Sequence, residues 1–251
     1  VEKVSKNLNS FAETNLAQSG KVYFASVPGK SYFINGRLEK PFDYLAMNNI
    51  VKQNLTKAEI IDLTSSLTLE DYFKSDLHWR QEALQNVLNT LGAKMGFSID
   101  LSTFVKNTVP SFKGYYAQKT EGVLPEEMCY LTNSVTDTAT VEHFTEKDFS
   151  GIYNTSKLES KDPYTLFLSG AAPVIKLINN EMAEGEELVI MGDSYSLSLA
   201  PLLLSEYKTV TIVDLRLIAG KIVNEYVDLA GKDVLMLYSD AVLNNSNMLK
   251  F

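Results

Sequence analysis

One of the two histidines in this sequence lies directly before its only tryptophan. In the stretch "YFKSDLHWRQEAL", Asp76 precedes His78 by two positions and Trp79 follows it. An imidazole can take up a proton near neutral pH, and a neighbouring carboxylate fixes which ring nitrogen carries the hydrogen. The pair is therefore a candidate general base with its orienting acid, with Trp79 excluding water. The alternative is a helix cap beside a core anchor.

A candidate nucleophile lies in "VIMGDSYS", where an apolar strand leads to Asp193 and Ser194 just before a predicted helix. A serine there presents its hydroxyl at the mouth of a sheet, and its amide N–H lies at a helix N-terminus, as a nucleophile with part of an oxyanion hole requires. The alternative is a simple N-cap, and we interpret Asp193 as an acceptor for amides of the turn. We interpret His143 as a surface residue, which leaves His78 as the base available to Ser194.

Regular elements are predicted at both ends of the chain. The spacing of apolar residues predicts helices over 1–20, 41–55 and 80–96, the second with Pro41 in its first turn, and strands over 22–27 and 58–64. The last third alternates strand, helix, strand, helix, strand, which is typical of a parallel sheet with right-handed crossovers. Ligands of such sheets bind beyond the carboxyl ends of the strands.

The middle of the chain has a different texture. Residues 99–164 are rich in Thr, Ser, Asn and Lys and contain short alternating segments, including "KGYYAQKT", which predict antiparallel strands and long loops. The expected fold is α/β, a parallel sheet flanked by helices with this irregular β-rich insertion. A length of 251 residues suits a single domain over 1–251.

Composition excludes several classes of function. A net charge of −8 and a pI near 4.9 argue against a nucleic-acid partner. The single cysteine excludes an intrachain disulfide, and neither it nor the two separated histidines provide a zinc spacing. No metal or cofactor is implied. No apolar run approaches the roughly 20 residues of a membrane-spanning helix.

The motifs "SDLHW", "GDSYS" and "IVDLR" together resemble the SGNH-hydrolase superfamily. The closer resemblance is to its extracytoplasmic branch of bacterial DHHW proteins and alginate O-acetyltransferase-like proteins, in which Asp-x-His-Trp precedes the serine. The resemblance implies a flavodoxin-like SGNH fold with Ser194 as nucleophile, His78 as base and Asp76 as orienting acid. DHHW proteins often carry a second histidine where Leu77 stands here. The family's oxyanion hole adds a glycine amide, for which Gly170 is the candidate, and an asparagine, for which no motif stands here.

Further residues are candidates for substrate binding. Arg216 follows "TVTIVD" and is expected at the carboxyl edge of the strand next to Ser194. It could bind a substrate carboxylate or an oxyanion, or form an ion pair with Asp214 or Asp193, and both interpretations stay open. Tyr195 and Lys30 are candidates for the rim of the pocket.

The resemblance implies serine-dependent acyl transfer, by an O-acetyltransferase or acetylesterase acting on a cell-surface or extracellular polysaccharide. It also implies a bacterial, extracytoplasmic protein, either secreted or membrane-anchored, since this branch is often anchored by an N-terminal helix; the acyl donor is not indicated. One alternative is a non-catalytic glycan-binding surface protein with a relict pocket. Another is an intracellular α/β protein in which Ser194 only caps a helix. The enzyme hypothesis requires the His78 ring and the Ser194 hydroxyl to come within hydrogen-bond distance.

Overall fold

Seven of the nine strands form one sheet, and the other two form a separate hairpin. The computed structural model describes residues 1–251. The strands are β1 (Val22–Val27), β2 (Glu59–Asp62), β3 (Val105–Phe112), β4 (Glu126–Thr132), β5 (Thr140–His143), β6 (Val174–Ile178), β7 (Glu187–Gly192), β8 (Thr209–Val213) and β9 (Asp233–Ser239). The helices are α1 (Glu2–Asn15), α2 (Lys30–Phe33), α3 (Tyr44–Asn54), α4 (Gln85–Met95), α5 (Tyr115–Lys119), α6 (Ser134–Thr138), α7 (Ser196–Leu203) and α8 (Asp240–Leu243).

The order of strands in the main sheet is β2-β1-β9-β7-β8-β6-β5. The first five of these pair in parallel, whereas β6 is antiparallel to β8 and β5 is antiparallel to β6. The predicted α/β class with a mostly parallel sheet flanked by helices is confirmed. The carboxyl ends of β1, β9, β7 and β8 share one edge of the sheet, and the loops that follow these strands meet there.

Both faces of the central strands are buried, which explains their nearly continuous apolar sequences. On β7, Leu188 and Ile190 pack into one core with residues of α4 and α7. Val189 and Met191 face the opposite core, which includes residues of α1 and α3. No helix in the structure is both long enough and apolar enough to cross a bilayer.

The segment 99–164 contains antiparallel pairing, as expected: β3 and β4 form the separate hairpin and β5 extends the edge of the main sheet. The interpretation of "KGYYAQKT" as a strand is wrong, because Tyr115–Lys119 forms a single helical turn. The Tyr116 amide donates to the Ser75 carbonyl at 2.8 Å, so this backbone pairs with a loop instead of with a strand. The assignment of 1–251 to a single domain stays a prediction.

Several predicted helices differ from the observed elements: the first ends at Asn15 and not at position 20, and the third begins at Gln85 and not at position 80. The second begins at Tyr44 and not at Pro41, because the Asp43 side chain caps it by accepting the Ala46 amide at 2.8 Å. The helix expected after β8 is a short 3₁₀ segment, Gly220–Glu225.

Candidate active site

Ser194 lies in the turn between β7 and α7, at the carboxyl end of the central strand, where the sequence placed it. The Asp193 carboxylate holds this turn through two backbone amides. Its Oδ1 accepts the Tyr195 amide at 3.2 Å, and its Oδ2 accepts the Ser239 amide at 2.8 Å. Asp193 is therefore an acceptor for turn amides, as interpreted from the sequence. It also ties the serine turn to the end of the neighbouring strand β9.

The amide N–H of Ser194 makes no hydrogen bond within the protein, although its neighbours do. The Ser196 amide donates to the Asp193 carbonyl at 3.0 Å, and α7 begins at Ser196. Free amides at the start of a helix carry a partial positive charge. This amide can therefore stabilise negative charge that develops on an oxygen bonded near Ser194.

The structure brings together the three side chains that the resemblance assigns to a catalytic triad. His78 Nε2 lies 2.8 Å from Ser194 Oγ, across 116 positions of sequence. His78 Nδ1 lies 2.6 Å from Asp76 Oδ1. A hydroxyl, an imidazole and a carboxylate thus form one hydrogen-bonded chain at the carboxyl edge of the sheet.

The Asp76–His78 pair lies on a loop between β2 and α4 that is closed on itself. Tyr72 pairs with Trp79 across the base of the loop, and the Phe73 amide donates to the His78 carbonyl at 3.1 Å. Within the loop, the His78 amide donates to Asp76 Oδ1 at 3.0 Å. The hydrogen bonds from the His78 amide and from the His78 ring both end on the Asp76 carboxylate, so the short loop fixes the two side chains relative to each other.

Asp76 is 1% exposed, and its carboxylate is surrounded by donors. Burial raises the pKa of this carboxyl, but hydrogen bonds from the His78 ring and from the Tyr115 and His78 amides outweigh burial and hold the pKa below its ordinary value. An ionised carboxylate at neutral pH keeps the ring hydrogen on His78 Nδ1. Nε2 is then free to accept the Ser194 proton.

The insertion supports the Asp76 loop from behind, which the sequence did not indicate. The Tyr115 amide donates to Asp76 Oδ2 at 2.7 Å. The Glu126 carboxylate accepts the amides of Lys74 and Ser75, at 3.0 and 2.5 Å. Backbone donors of this kind leave no residue signature. The one residue that could have indicated this contact is Gly114 in "KGYY", because a glycine lets two backbone segments come close together.

Replacing Gly114 by alanine is expected to impair both folding and activity. A Cβ on this residue would overlap Asp76 Cβ and lie 2.6 Å from the Ser75 carbonyl oxygen, so the acid loop must move. We expect a loss of about 1–3 kcal/mol in the free energy of unfolding, as for overpacked interiors. Thermal unfolding measures the loss, and Gly36→Ala is the matched control because open space surrounds that glycine. Equal melting temperatures for the two variants would contradict the close approach.

Two aromatic rings confine the His78 imidazole. The Tyr164 ring stacks parallel to it, with 3.8 Å between centroids and 5° between planes, and the Tyr195 ring meets it edge-on at 5.1 Å. Ser198 Oγ accepts from the Tyr164 hydroxyl at 3.0 Å and from the Trp79 indole at 2.9 Å. Trp79 is fully buried, so it anchors the loop of Asp76 and His78 to α7. The sequence did not single out Tyr164 or Ser198.

Tyr195 was expected at the rim of the pocket, and this is wrong. Its side chain is 4% exposed, and its hydroxyl donates to the Leu77 carbonyl at 2.8 Å. The residue forms part of the buried wall behind the imidazole because its ring packs on both His78 and Trp79.

The structure contradicts the assignment of the Gly170 amide to an oxyanion hole. Leu168, Ser169 and Gly170 all have positive φ, at 54°, 61° and 96°. In this tight turn the Gly170 amide donates to the Phe167 carbonyl at 3.0 Å, so its hydrogen is already used. The Gly170 carbonyl lies 3.3 Å from Nε2 of His143, which is buried and not at the surface as expected.

The structure decides between the two interpretations of Arg216. Its guanidinium forms a two-pronged pair with Asp214, with Nε 2.9 Å from Oδ1 and Nη2 2.6 Å from Oδ2. The structural ion pair is therefore what forms, and it occupies Nε and Nη2 of the guanidinium. Lys30 also acts within the fold, because its ammonium donates to the carbonyls of Phe73 and Asp76 at 2.8 and 3.2 Å.

No protein-family model matches the chain, and no curated protein does. A DHHW family protein from Eubacterium siraeum superposes with a TM-score of 0.81 at 18% identity, covering 98% of this chain and 86% of that one. Bacillus cereus PatB1 gives 0.74 at 21%, with 96% and 90% covered. The O-acetyltransferase domain of Pseudomonas putida AlgJ gives 0.57 at 13%, with 96% and 82% covered. The chain shares the fold of these SGNH-like proteins, and the predicted resemblance is confirmed at the level of fold.

Proposed function

We propose that this protein is a serine-dependent acyltransferase or esterase that moves acetyl groups on or off hydroxyls of an extracellular or cell-surface polysaccharide. The observation that carries the proposal is the chain of contacts from Ser194 Oγ to His78 Nε2 and from His78 Nδ1 to Asp76, at 2.8 and 2.6 Å. Structural likeness to a protein described as an O-acetyltransferase domain supports the choice of acyl group. An extracytoplasmic location is part of the proposal and rests on the sequence resemblance.

The first half-reaction acylates the serine. Ser194 Oγ attacks the carbonyl carbon of the donor ester while His78 Nε2 takes the hydroxyl proton. The negative charge on the carbonyl oxygen is stabilised by the free Ser194 amide, and Asp76 stabilises the imidazolium. As the tetrahedral intermediate collapses, the bond to the donor alcohol breaks and His78 returns the proton to that alcohol. Acetyl-serine remains.

The second half-reaction follows the same path in reverse with a new acceptor. His78 Nε2 removes the proton from a sugar hydroxyl or from water, and the resulting oxygen attacks the acetyl carbon. The bond to Ser194 Oγ breaks, and the serine recovers its proton from His78. A sugar acceptor makes the enzyme a transferase, and water makes it an esterase.

One observation favours the alternative of a non-catalytic glycan-binding protein. The Gly170 amide, which the resemblance assigns to the oxyanion hole, is bonded to the Phe167 carbonyl. Set against this, acyl transfer requires a hydroxyl–imidazole–carboxylate chain of this geometry, whereas glycan binding does not. The enzyme is therefore the better supported of the two.

The test of the proposed function uses 4-nitrophenyl acetate as the acetyl donor. We expect release of 4-nitrophenolate and, on rapid quenching, one acetyl group on the peptide that contains Ser194. Added oligosaccharide that accepts the acetyl group should become acetylated. A folded protein that neither hydrolyses the ester nor acquires the acetyl group would be a glycan-binding protein at most.

A further inference from the structure

A second feature of the carboxyl edge is a cavity of about 440 Å³ that the triad does not use. It lies between the segment that joins β1 to α3 and the short helix α8 that follows β9. Its lining comprises Ser31, Phe42, Tyr44, Asp240, Asn244 and their neighbours, and we refer to it as the Tyr44 cavity.

Phe42 and Tyr44, both half-buried, form the aromatic wall of the Tyr44 cavity, and Tyr32 packs against Tyr44. The Tyr44 ring meets Phe42 edge-on at 4.9 Å and 72°, and meets Tyr32 edge-on at 4.9 Å and 80°. None of these three rings belongs to either hydrophobic core. Rings fixed in this way present a flat apolar surface with little conformational entropy left to lose on binding. Such a surface suits the C–H face of a pyranose.

The polar groups of the cavity suit sugar hydroxyls. The Asp240 side chain, which lines the cavity, accepts the Gly29 amide through Oδ2 at 2.9 Å. The Asn244 side-chain amide is exposed and makes no hydrogen bond within the protein. The Tyr44 and Ser31 hydroxyls lie 2.8 Å apart. Carboxylate, amide and hydroxyl together accept from and donate to neighbouring sugar hydroxyls.

The cavity is one strand away from the nucleophile. Asp240 directly follows β9, and β9 pairs with β7, which ends just before Ser194. Neighbouring strands lie about 4.8 Å apart. The Asp193 carboxylate joins the two strand ends because it accepts amides from both Tyr195 and Ser239. The cavity and Ser194 therefore lie at the ends of neighbouring strands on the same edge of the sheet, as a site that contacts one sugar chain together with the nucleophile requires.

The charge of the cavity selects the kind of sugar. Its lining contains the carboxylate of Asp240 and no basic side chain. Two lysines flank the lining residues in sequence: Lys30 turns its ammonium to the carbonyls of Phe73 and Asp76, and Lys40 lies outside the lining. A uronic acid or another anionic sugar would bring a second negative charge beside Asp240 without a cation to offset it.

We propose that the Tyr44 cavity binds an uncharged pyranose unit of the acceptor glycan, stacked on Tyr44 and hydrogen-bonded to Asp240 and Asn244. That the bound glycan is the acceptor of the acetyl group rests on the proposed function. That the cavity binds a glycan rests on the cavity alone. It places the specificity for the polysaccharide on the β1–α3 segment and on α8, away from the triad.

The test is isothermal titration of the whole chain with cellotetraose, chitotetraose and mannotetraose as neutral probes and tetragalacturonate as the acidic probe. We expect at least one neutral probe to bind, and its Kd to rise about tenfold or more with Asn244→Ala and with Tyr44→Leu. Asn244 is exposed, so its variant is not expected to disturb folding. Asn247→Ala is the matched control, because Asn247 is an exposed asparagine on the same C-terminal segment outside the cavity.

Three results would overturn the proposal: no binding of any neutral probe, unchanged affinity in the Asn244→Ala variant, or tighter binding of tetragalacturonate than of the neutral probes. Hydrolysis of 4-nitrophenyl acetate by the wild-type protein reports separately on Ser194. If the ester is hydrolysed but the affinities do not change, the cavity is not the subsite and the proposed function stands. If the Asn244→Ala variant loses sugar binding and the wild-type protein does not hydrolyse the ester, the glycan site is supported and the proposed acyl transfer is contradicted.

Discussion

Replacing Ser194 by alanine is expected to lower the rate of 4-nitrophenyl acetate hydrolysis by about 10⁴-fold or more. The substitution removes only Oγ, the atom that would form the acyl bond and that lies 2.8 Å from His78 Nε2. The turn should persist, because its bonds run through the Asp193 carboxylate and the backbone. Steady-state kinetics and a thermal melt measure the two effects separately.

The matched control for this substitution is Ser10→Ala, at an exposed position on α1. Its rate should equal that of the wild type. A Ser194→Ala variant that retained more than about a tenth of the activity would show that the measured hydrolysis does not pass through an acyl-serine. The proposed function would then lose its nucleophile.

Replacing Asp76 by asparagine is expected to lower the same rate by about 10³- to 10⁴-fold. Every contact of this carboxylate is with a donor: Oδ1 faces the His78 amide and ring, and Oδ2 faces the Tyr115 amide at 2.7 Å. An asparagine must turn its NH₂ toward one of these donors. If it faces the ring, Nδ1 becomes an acceptor, the hydrogen moves to Nε2, and the base can no longer accept from Ser194.

If the asparagine NH₂ instead faces the Tyr115 amide, two donors meet in a buried place and the free energy of unfolding falls by about 1–3 kcal/mol. The pH dependence of kcat reports the change at the ring, and unfolding by denaturant reports the loss of stability, so the two measurements distinguish the two outcomes. Asp162→Asn is the control, because Asp162 is a second carboxylate near His78 that makes no hydrogen bond to the ring, and an asparagine oxygen can still accept the Tyr164 amide as Oδ1 does at 3.2 Å. Equal losses in both variants would mean that local charge, and not the ring hydrogen bond, determines the rate.

Much of the scaffold could be predicted because it is encoded locally. Apolar runs such as Leu188–Met191 identify strands that are buried on both faces, and the turn residues after them mark the carboxyl edge of the sheet. Asp76 and His78 could be assigned to one site because they lie two residues apart on a predicted loop. Their meeting with Ser194 rested on the choice between two histidines and on the resemblance, since no local pattern relates positions 116 apart. The reason for setting His143 aside was wrong, because His143 is buried.

The rest of the site could not be predicted, for identifiable physical reasons. The Tyr115 amide that supports Asp76 is a backbone group, and every residue except proline has one. The Tyr164 ring reaches His78 through a contact across 86 positions, for which no spacing rule exists. Gly170 failed as an amide donor because three consecutive left-handed residues redirect its N–H, and the letters "LSG" do not specify such a turn.

The contacts between the Glu126 carboxylate and the Lys74 and Ser75 amides bear on any attempt to build chimeras of this fold. The loop that carries Asp76 and His78 is separate in sequence from the hairpin segment that hydrogen-bonds to it, but the two form one structural unit. If residues 71–80 alone were grafted into a related scaffold, the loop would lose the hydrogen bonds that Glu126 accepts from it. A functional transplant must carry 113–126 along with the loop, which makes the two segments a single exchangeable cassette.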